Sequence, residues 1–467
     1  MDPVQSSKLS DGIEAPWWKF WKRRRTVVVL MAFLGVQVLY LTRFSLNATL
    51  DAMKADLKQN WDNEYLESAF FYGMLVTQIP GGVLATKFGS TIMITAGIAG
   101  TSVLAIFTPL AAYGGSGWII TVRVLQGMFQ GVVFPCLHDL WAHWAPPSER
   151  THMVMLSFVG IIVGTIKALV LGELLVESVS WESVFYIFGA AGCLWCVAWF
   201  KMIRKSPKED RFITNGEREF IMQSLGHHEG SSEIVKHPWK GILTSTAVLA
   251  CAIASFSQNW GLNTTLTQFP TFLKEVLNYN LSPAGFLTTL PYVSTIKTLT
   301  IAGPLADRLL VKGLQTSTQV RRNFTCASFL VQLIFMLAGA LVLDPIAAII
   351  LMTIAVAMGS FAWAGYVVNL LELSPKSAGV TMGFVGTFGT IADIISPAVT
   401  GSLTENSAVE EWNVVFFVTG GIYLVGCVVY WFLASGELQP WSVEMRDANR
   451  RKCHNTQQCE SRMNIEI

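Results

Sequence analysis

Residues 22–41 read KRRRTVVVLMAFLGVQVLYL, four basic residues followed by a mostly apolar run. A helix needs about 20 largely apolar residues to cross the hydrocarbon core of a bilayer. Lys and Arg beside a spanning helix hold that end on the cytoplasmic side. The stretch therefore predicts a first membrane-spanning helix that begins in the cytoplasm.

Eleven further apolar windows follow, and 52% of all residues are apolar while 14% are charged. Soluble proteins average about 25% charged residues. This composition excludes a disordered chain, and a net charge of +1 argues against a nucleic-acid partner. We predict an all-α membrane protein with twelve transmembrane helices. The windows are 26–47, 66–86, 90–112, 118–141, 152–176, 183–203, 241–266, 284–304, 324–343, 346–371, 377–402 and 412–434.

A long polar break separates the first six spans from the last six. GVLATKFG at 82–89 and GPLADRL at 303–309 follow the second and the eighth span, at equivalent points of the two halves. Matched halves indicate a transporter built from repeats, with its binding site at the midplane between them. The expected parts are a cytoplasmic tail at 1–25, a six-helix half at 26–203, a cytoplasmic loop at 204–240, a second six-helix half at 241–435 and a cytoplasmic tail at 436–467.

The charges of the loops predict the orientation. Basic residues concentrate in the even-numbered loops and acidic residues in the odd-numbered ones. Since cytoplasmic loops carry the excess of Lys and Arg, both termini are predicted to be cytoplasmic. Asn280-Leu-Ser282 falls in the outward-facing seventh loop and is the predicted glycosylation site.

Charged side chains inside the spans are the main functional candidates. Each costs about 3 kcal/mol on insertion scales, so a charge retained there marks a site by default. Every one also has a structural alternative, such as snorkelling to the interface for Arg43, a buried ion pair for Arg123 or an interfacial position for Glu67. The candidates are Arg43, Glu67, Arg123, Asp139, Lys167, Glu173, Lys297, Glu372 and Asp393.

The fourth span carries a polar face. Arg123, Gln126, Gln130 and Phe134 stand at i, i+3, i+7 and i+11, on one side of a helix. A polar stripe in a span must face protein or water rather than lipid. Arg123 is predicted to bind a substrate carboxylate or phosphate through its bidentate guanidinium. His138 either carries a proton near neutral pH or is a hydrogen-bonded structural histidine.

Lys167, Lys297 and Asp393 lie deeper in their spans. A lysine alone at that depth tends to lose its proton, so a carboxylate partner is expected. We predict that Asp393 pairs with Lys297 or with Lys167 across the bundle. The alternative is a gating or packing role without contact to substrate.

Four strings carry a family resemblance: TQIPGG at 77–82, WAHWAPPSER at 141–150, WESVFY at 181–186 and GELQPW at 436–441. They resemble the anion–cation symporter branch of the major facilitator superfamily, which includes sialin, the vesicular glutamate transporters and the type I sodium–phosphate cotransporters. The resemblance covers about residues 26–441 and implies the major facilitator fold with two pseudo-symmetric halves. It also implies anion transport coupled to H⁺, Na⁺ or membrane potential.

The family's motif arginine in span one falls on Arg43, its span-four arginine on Arg123 and its span-four histidine on His138. The resemblance therefore implies that both arginines face the substrate.

The chain departs from the family pattern at several positions. The glutamate and sialic-acid transporters carry a glutamate where this chain has Gln130. Sialin has a second acidic residue, nearer to the span-four arginine, where this chain has Gln126. Glu67 replaces the span-two histidine of the glutamate transporters, and Gln258 replaces their span-seven arginine. In span ten, this chain has Asn369-Leu-Leu-Glu372 where the family pattern is Asn-His-Leu-Asp. Because a side-chain amide cannot take up and release a proton as a carboxylate does, Na⁺ is the first choice of coupling ion.

The sequence thus predicts a monomeric alternating-access carrier of anions, symporting phosphate or a small organic anion with sodium. A potential-driven or proton-coupled organic-anion exporter is the first alternative, and a non-transporting receptor on the same scaffold is the second. No metal site, cofactor or enzymatic centre is expected, because no nucleophile–base pair or phosphate-cradling loop is found. The expected location is the plasma membrane or an endomembrane vesicle.

Overall fold

The computed structural model describes residues 23–226 apart from 60 and 62, then 237–277, 279, 286–342, 344–405 and 408–443. The predicted glycosylation site at Asn280 and most of both tails lie outside these residues. The described residues form twelve long helical segments, as the hydropathy predicts. They are α1 Arg24–Leu57, α2 Asn63–Phe88, α3 Ser90–Tyr113, α4 Ser116–Trp144, α5 Arg150–Ser178, α6 Trp181–Met202, α7 246–275, α8 Phe286–Val311, α9 Ser317–Leu341, α10 Pro345–Leu373, α11 Ala378–Leu403 and α12 Val409–Leu433.

Ten of these segments are long and apolar enough to cross a bilayer by composition alone. The other two are α7 and α8, which contain more polar residues and complete the second half. The helix α1 extends past the predicted end of its span to Leu57 and so continues beyond the apolar run. The prediction of an all-α, twelve-helix fold is confirmed.

Three helices are interrupted near their middle. The regular helix of α4 ends at Gly131 and resumes at Val133, next to Pro135, which has no amide hydrogen to donate to the preceding turn. The helix α7 contains a π-helical turn at Thr264–Gln268, and α10 contains one at Trp363–Val367. Such π-helical turns are frequently found at functional sites.

Both described ends of the chain lie on one face of the bundle, which we call the termini side. Arg24, at the start of α1, donates from Nε to Asp210 at 2.8 Å, and its backbone amide donates to Glu217 at 2.9 Å. Near the other end, Trp441 packs directly on Gly241. Asp210 lies in the described stretch that follows α6, and Gly241 lies in the one that precedes α7.

The two halves meet closely on this termini side. Gly82 of α2 crosses Gly379 of α11 so tightly that a β-carbon on residue 82 would stand 2.5 Å from the Gly379 carbonyl oxygen. Asp307 of α8 accepts hydrogen bonds from the backbone amides of Thr151 (3.1 Å) and His152 (2.8 Å), at the start of α5. The structure is therefore the conformation closed toward the termini.

Two further side chains join the halves on the same side. His237, in the segment before α7, lies with Nε2 3.1 Å from the Thr86 hydroxyl and Nδ1 3.2 Å from the Ser377 hydroxyl. Arg321 of α9 donates to the Thr151 hydroxyl at 3.2 Å. The two halves are thus held together on the termini side by polar contacts at the ends of helices.

Candidate functional site

A cavity of about 220 Å³ lies between the two halves. Helices α1, α2, α4 and α5 line it from the first half, and α7, α8, α10 and α11 from the second. The interruptions described above all supply wall residues: Pro135 beside the break in α4, Leu266 from the π turn of α7 and Trp363 from that of α10. The irregular backbone of these helices therefore lies around the cavity. Within a membrane, such backbone is tolerated where it is buried in protein or lines a water-filled cavity, and not where it faces lipid.

Aromatic rings and amides form most of the wall. The aromatic side chains include Tyr40, Phe44, Phe134, Phe158, Tyr292 and Trp363. The neutral polar side chains are Gln78, Thr165, Ser255, Asn259, Asn263 and Thr390. Such a wall suits a ligand with an apolar body and a few polar groups.

Arg43 supplies the cation of this cavity. Its guanidinium carbon lies 5.4 Å from the ring centres of Tyr40 and Phe44, 5.0 Å from that of Phe70 and 4.8 Å from that of Phe71. These cation–π contacts hold the charge among aromatic faces without an acidic partner. Arg43 lines the cavity and has no carboxylate within ion-pair distance among the described residues, so it does not snorkel away from the site.

Asp393 supplies a carboxylate on the wall contributed by the second half. It is half-buried, lines the same cavity as Arg43 and interacts with it electrostatically. The backbone carbonyl of Asp393 accepts a hydrogen bond from Asn263 Nδ2 at 3.3 Å. Thr390, one turn earlier on α11, accepts from Gln78 Nε2 at 2.7 Å and ties α11 to α2.

Arg123 does not reach the cavity. It is 3% exposed and donates from Nη1 to Gln126 Oε1 at 3.1 Å and to the Arg43 carbonyl at 3.4 Å. Its guanidinium lies 5.0 Å from the ring centre of Phe70. Arg123 therefore stands behind Arg43, where it supports the backbone of α1, and the expectation that it faces substrate is not met in this conformation.

The rest of the polar face of α4 is covered by neighbouring helices. Gln126 donates to the Thr108 hydroxyl on α3 at 3.3 Å. Gln130 is fully buried, and neither of its amide atoms has a partner among the described residues. His138 is also fully buried and bonds the Phe134 carbonyl through Nδ1 at 3.1 Å. Of this face, only Phe134 lines the cavity.

The predicted residues of the second half lie away from the cavity as well. Gln258 and Gln332 exchange hydrogen bonds at 3.1 and 3.5 Å within that half. Asn369 donates to the Tyr430 hydroxyl at 3.1 Å. Glu372 forms a buried ion pair with Arg321, Oε1 to Nη2 at 2.5 Å, on the termini side. These residues organise the half and do not contact the cavity in this conformation.

The pairing of Asp393 with a lysine is not formed. Lys167 and Lys297 are exposed, and neither lines the cavity. Exposed Val293 and Ile301 flank Lys297 one turn to either side, so it points outward with an apolar face. An alkyl stem long enough to carry the ammonium to the interface explains how a lysine remains on such a face.

Glu67 lies near the end of α2 that is remote from the termini side, where it accepts a hydrogen bond from Asn47 Nδ2 at 2.5 Å. Its charge acts on Arg123, and Glu67 does not line the cavity. The interfacial interpretation is the one that this position matches.

Sequence reasoning missed two groups of wall residues. Ser255, Asn259 and Asn263 stand at i, i+4 and i+8 on α7, and the same periodicity that revealed the face of α4 would have found them. On α11 the missed residue is Thr390, one turn before Asp393, which the sequence analysis did single out. Tyr40, one turn before Arg43, carries the same signal.

Comparison with known proteins shows the family to which the chain belongs. The model of the Major Facilitator Superfamily matches residues 32–318 and 281–457. Human (Homo sapiens) sialin is 36% identical over 397 residues, which is 84% of this chain and 80% of that protein. Zebrafish (Danio rerio) vesicular glutamate transporter 2.1 is 33% identical over 439 residues, 90% of this chain and 75% of that protein.

A solved structure gives the same fold. A major facilitator proton:xylose symporter, bound to 6-bromo-6-deoxy-D-glucose, superposes with a TM-score of 0.70 at 16% identity, covering 89% of this chain and 98% of that one. The order of the helices, the cavity between the two halves and the similarity to these proteins all indicate the same family. The chain is a multi-pass membrane protein that belongs to the major facilitator superfamily, in the branch of sialin and the vesicular glutamate transporters.

Proposed function

We propose that this protein is a secondary active transporter of anions that works by alternating access, with Arg43 as the positive charge that binds the substrate. The observation that carries the proposal is the position of Arg43 in the wall of a cavity between two repeated halves. Its guanidinium packs on aromatic faces and forms no ion pair within 4 Å with a carboxylate of the described residues, so it remains free to bind an anion.

The wall favours a small organic anion over inorganic phosphate. Phosphate requires several donors, and Arg43 is the one cationic side chain among the described residues that line the cavity. The aromatic rings would instead cover an apolar body while Arg43 binds its acidic group. Phosphate remains the competing substrate of this proposal, since the resemblance includes phosphate cotransporters.

The termini side is assigned to the cytoplasm. The basic cluster at the start of α1 supports this assignment through the excess of positive charge on cytoplasmic ends. The described conformation is then closed toward the cytoplasm, and release of substrate there needs the contacts at Gly82, Asp307 and His237 to part. The protein would act as a monomer in the plasma membrane or in an endomembrane vesicle.

Two cations are candidates for coupling. Sodium is favoured by Gln126 and Gln130, which replace the acids of span four. Proton-coupled transport is favoured by a different observation, since Asp393 brings a carboxylate into the cavity from α11. Potential-driven movement of the anion alone is the third mode to separate.

The experiment is uptake into proteoliposomes holding the purified chain. Labelled phosphate and a panel of small aromatic and aliphatic carboxylates are supplied under an inward Na⁺ gradient, an inward proton gradient or a clamped potential, each alone. We expect at least one carboxylate to accumulate under one cation gradient, and Arg43→Ala to abolish this accumulation.

The matched control is Lys297→Ala, which also removes a positive charge from a span but on an exposed face. It should transport as the parent does. Accumulation that survives Arg43→Ala, or an absence of anion flux under every gradient, would refute the proposed function.

A further inference from the structure

The cavity contains one carboxylate that the substrate site does not need. Of the acidic residues in the described parts of the twelve helices, Asp393 alone lines the cavity. Glu67 bonds Asn47 at the far end of α2, Asp307 binds the start of α5 and Glu372 pairs with Arg321. Asp393 is therefore the acidic group that a bound anion would meet.

The carboxylate of Asp393 is left without a tight partner. None of the hydrogen bonds and ion pairs recorded for the described residues involves its side-chain oxygens, and the bond from Asn263 reaches only its backbone carbonyl. Its opposite charge in the cavity is Arg43, which interacts with it without forming an ion pair within 4 Å. Two buried acceptors on the cavity wall, Gln78 Oε1 and Asn263 Oδ1, also have no donor among the residues that the structure describes.

Among the described residues that line the cavity, no other side chain is a carboxylic acid or a histidine. The remaining charged or titratable side chains that line the cavity are Arg43 and Tyr40 from α1, Tyr292 from α8 and Tyr366 from α10. Arginine and tyrosine keep their charge state between about pH 5 and pH 8. A proton taken up in this cavity in that range therefore goes to Asp393.

We propose that Asp393 takes up the proton that is transported together with the anion, as a second site beside Arg43 in one cavity. The proposal rests on the proposed anion transport and deepens it by naming the coupling cation and its residue. Without substrate, Arg43 and Asp393 balance each other's charge. An anion bound at Arg43 leaves one negative charge in excess within apolar walls, and a proton on Asp393 removes this excess.

The coupling follows from like charges in a low-dielectric space. Two anionic groups in one site favour protonation of one of them. The substrate anion therefore promotes protonation of Asp393, and by linkage the protonated carboxyl strengthens binding of the anion by the same factor. The proton then crosses with the anion when the halves rock, and leaves when the anion leaves. The orphaned oxygens of Gln78 and Asn263 offer acceptors for the carboxyl hydrogen.

This arrangement accounts for the amides of α4. Gln126 and Gln130 are buried, neutral and outside the cavity, so neither holds a proton for transport. The chain supplies its proton acceptor from α11 instead, on the wall that belongs to the other half.

The test compares the parent with Asp393→Asn, which copies the shape of the neutral carboxyl. Proteoliposomes holding a pH dye inside are given the best substrate of the panel, either under an inward proton gradient or as exchange against the same anion inside. In the parent, the proton gradient should raise uptake and the dye should report acidification that depends on substrate. Asp393→Asn should keep exchange, and should lose both the stimulation and the acidification.

Two variants act as controls. Asp393→Glu keeps a titratable group and should keep substrate-dependent acidification. Glu173→Gln removes a carboxylate from α5 that does not line the cavity and should behave as the parent. Substrate-dependent acidification that persists in Asp393→Asn would overturn the proposal, and so would loss of exchange in that variant, since a mimic of the protonated state must still bind and carry the anion.

The outcome separates this inference from the proposed function. A parent that transports an anion with Na⁺ and shows no proton influx leaves anion transport standing and overturns the role of Asp393. A parent without any anion flux refutes the proposed function itself.

Discussion

Removing the carboxylate of Asp307 should weaken the closure of the halves on the termini side without unfolding either half. Asp307 is 6% exposed and accepts from two backbone amides at the start of α5, at 3.1 and 2.8 Å. Its helix, α8, belongs to the other half, so both bonds exist only while the halves are closed. The substitution Asp307→Ala removes both bonds and leaves the two amides to water when the halves part.

The size of the effect follows from these two bonds. A hydrogen bond to a charged group contributes about 1.5–3 kcal/mol net, and an acidic group at a helix N-terminus gains up to about 2 kcal/mol from the aligned peptides. Allowing for overlap between these effects, we expect the closed state to lose about 3 kcal/mol relative to the open state. Since 1.4 kcal/mol is a factor of ten, the equilibrium shifts roughly 100-fold toward opening.

The assay is the rate at which a thiol reagent labels a cysteine at the crossing of α2 and α11. Val380 is fully buried there, against Gly82 of the other half. In a background without native cysteines, Val380→Cys should react slowly in the parent and much faster with Asp307→Ala.

The matched control for this experiment is Asp344→Ala. Asp344 also accepts from a backbone amide at a helix start, Ala347 at 2.8 Å, but within one half. It should lower thermal stability somewhat and leave labelling at Val380→Cys unchanged. Equal labelling in the parent and Asp307→Ala would refute the reasoning that these bonds hold the halves together.

Two other changes have defined consequences. Glu372→Ala leaves the guanidinium of Arg321, which is 1% exposed, without its carboxylate. The variant should be less stable than the parent by about 3–5 kcal/mol in thermal unfolding. An unchanged melting temperature would contradict this expectation. Burial lowers the pKa of His237 below its ordinary 6.5, against the opposing effect of Asp139, so the closed contact favours the neutral ring. This contact is retained above pH 6.5 and weakens as the pH falls below it. Labelling at Val380→Cys, measured relative to a free thiol at the same pH because the reactive thiolate becomes scarcer in acid, should therefore rise as the pH falls from about 7 to about 5. The variant His237→Asn, which cannot titrate, should lose this relative rise.

Hydropathy was sufficient to predict an all-α fold of twelve helices, because each spanning helix needs about 20 largely apolar residues. The same information located Arg43 in the first span, and the family motif indicated its role. Neither source could show that Arg123 stands behind Arg43. A polar stripe on a helix says that the stripe avoids lipid, but not whether protein or a cavity covers it. In α4 the cover is α1, α2 and α3.

The position of Asp393 shows the same limit from the other side. Its depth in the span predicted a charged partner, and the two lysines at similar depth were the natural candidates. The rotation of each helix about its axis determines which charged side chains meet. It turns Lys167 and Lys297 outward and turns Asp393 toward the cavity that Arg43 also lines. Rotation depends on packing between helices far apart in sequence, such as the crossing at Gly82 and Gly379.

The ion pair between Arg24 and Asp210 also has a meaning in time. The partners stand 186 residues apart, so the carboxylate is synthesised only after all six helices of the first half. Until then Arg24 lacks this carboxylate, and its charge is available to fix the orientation of α1 in the membrane. Once Asp210 and Glu217 arrive, Arg24 and Arg25 become a clasp that attaches the segment after α6 to the start of α1. One short basic cluster thus serves first the insertion of the chain and later the cohesion of the finished half.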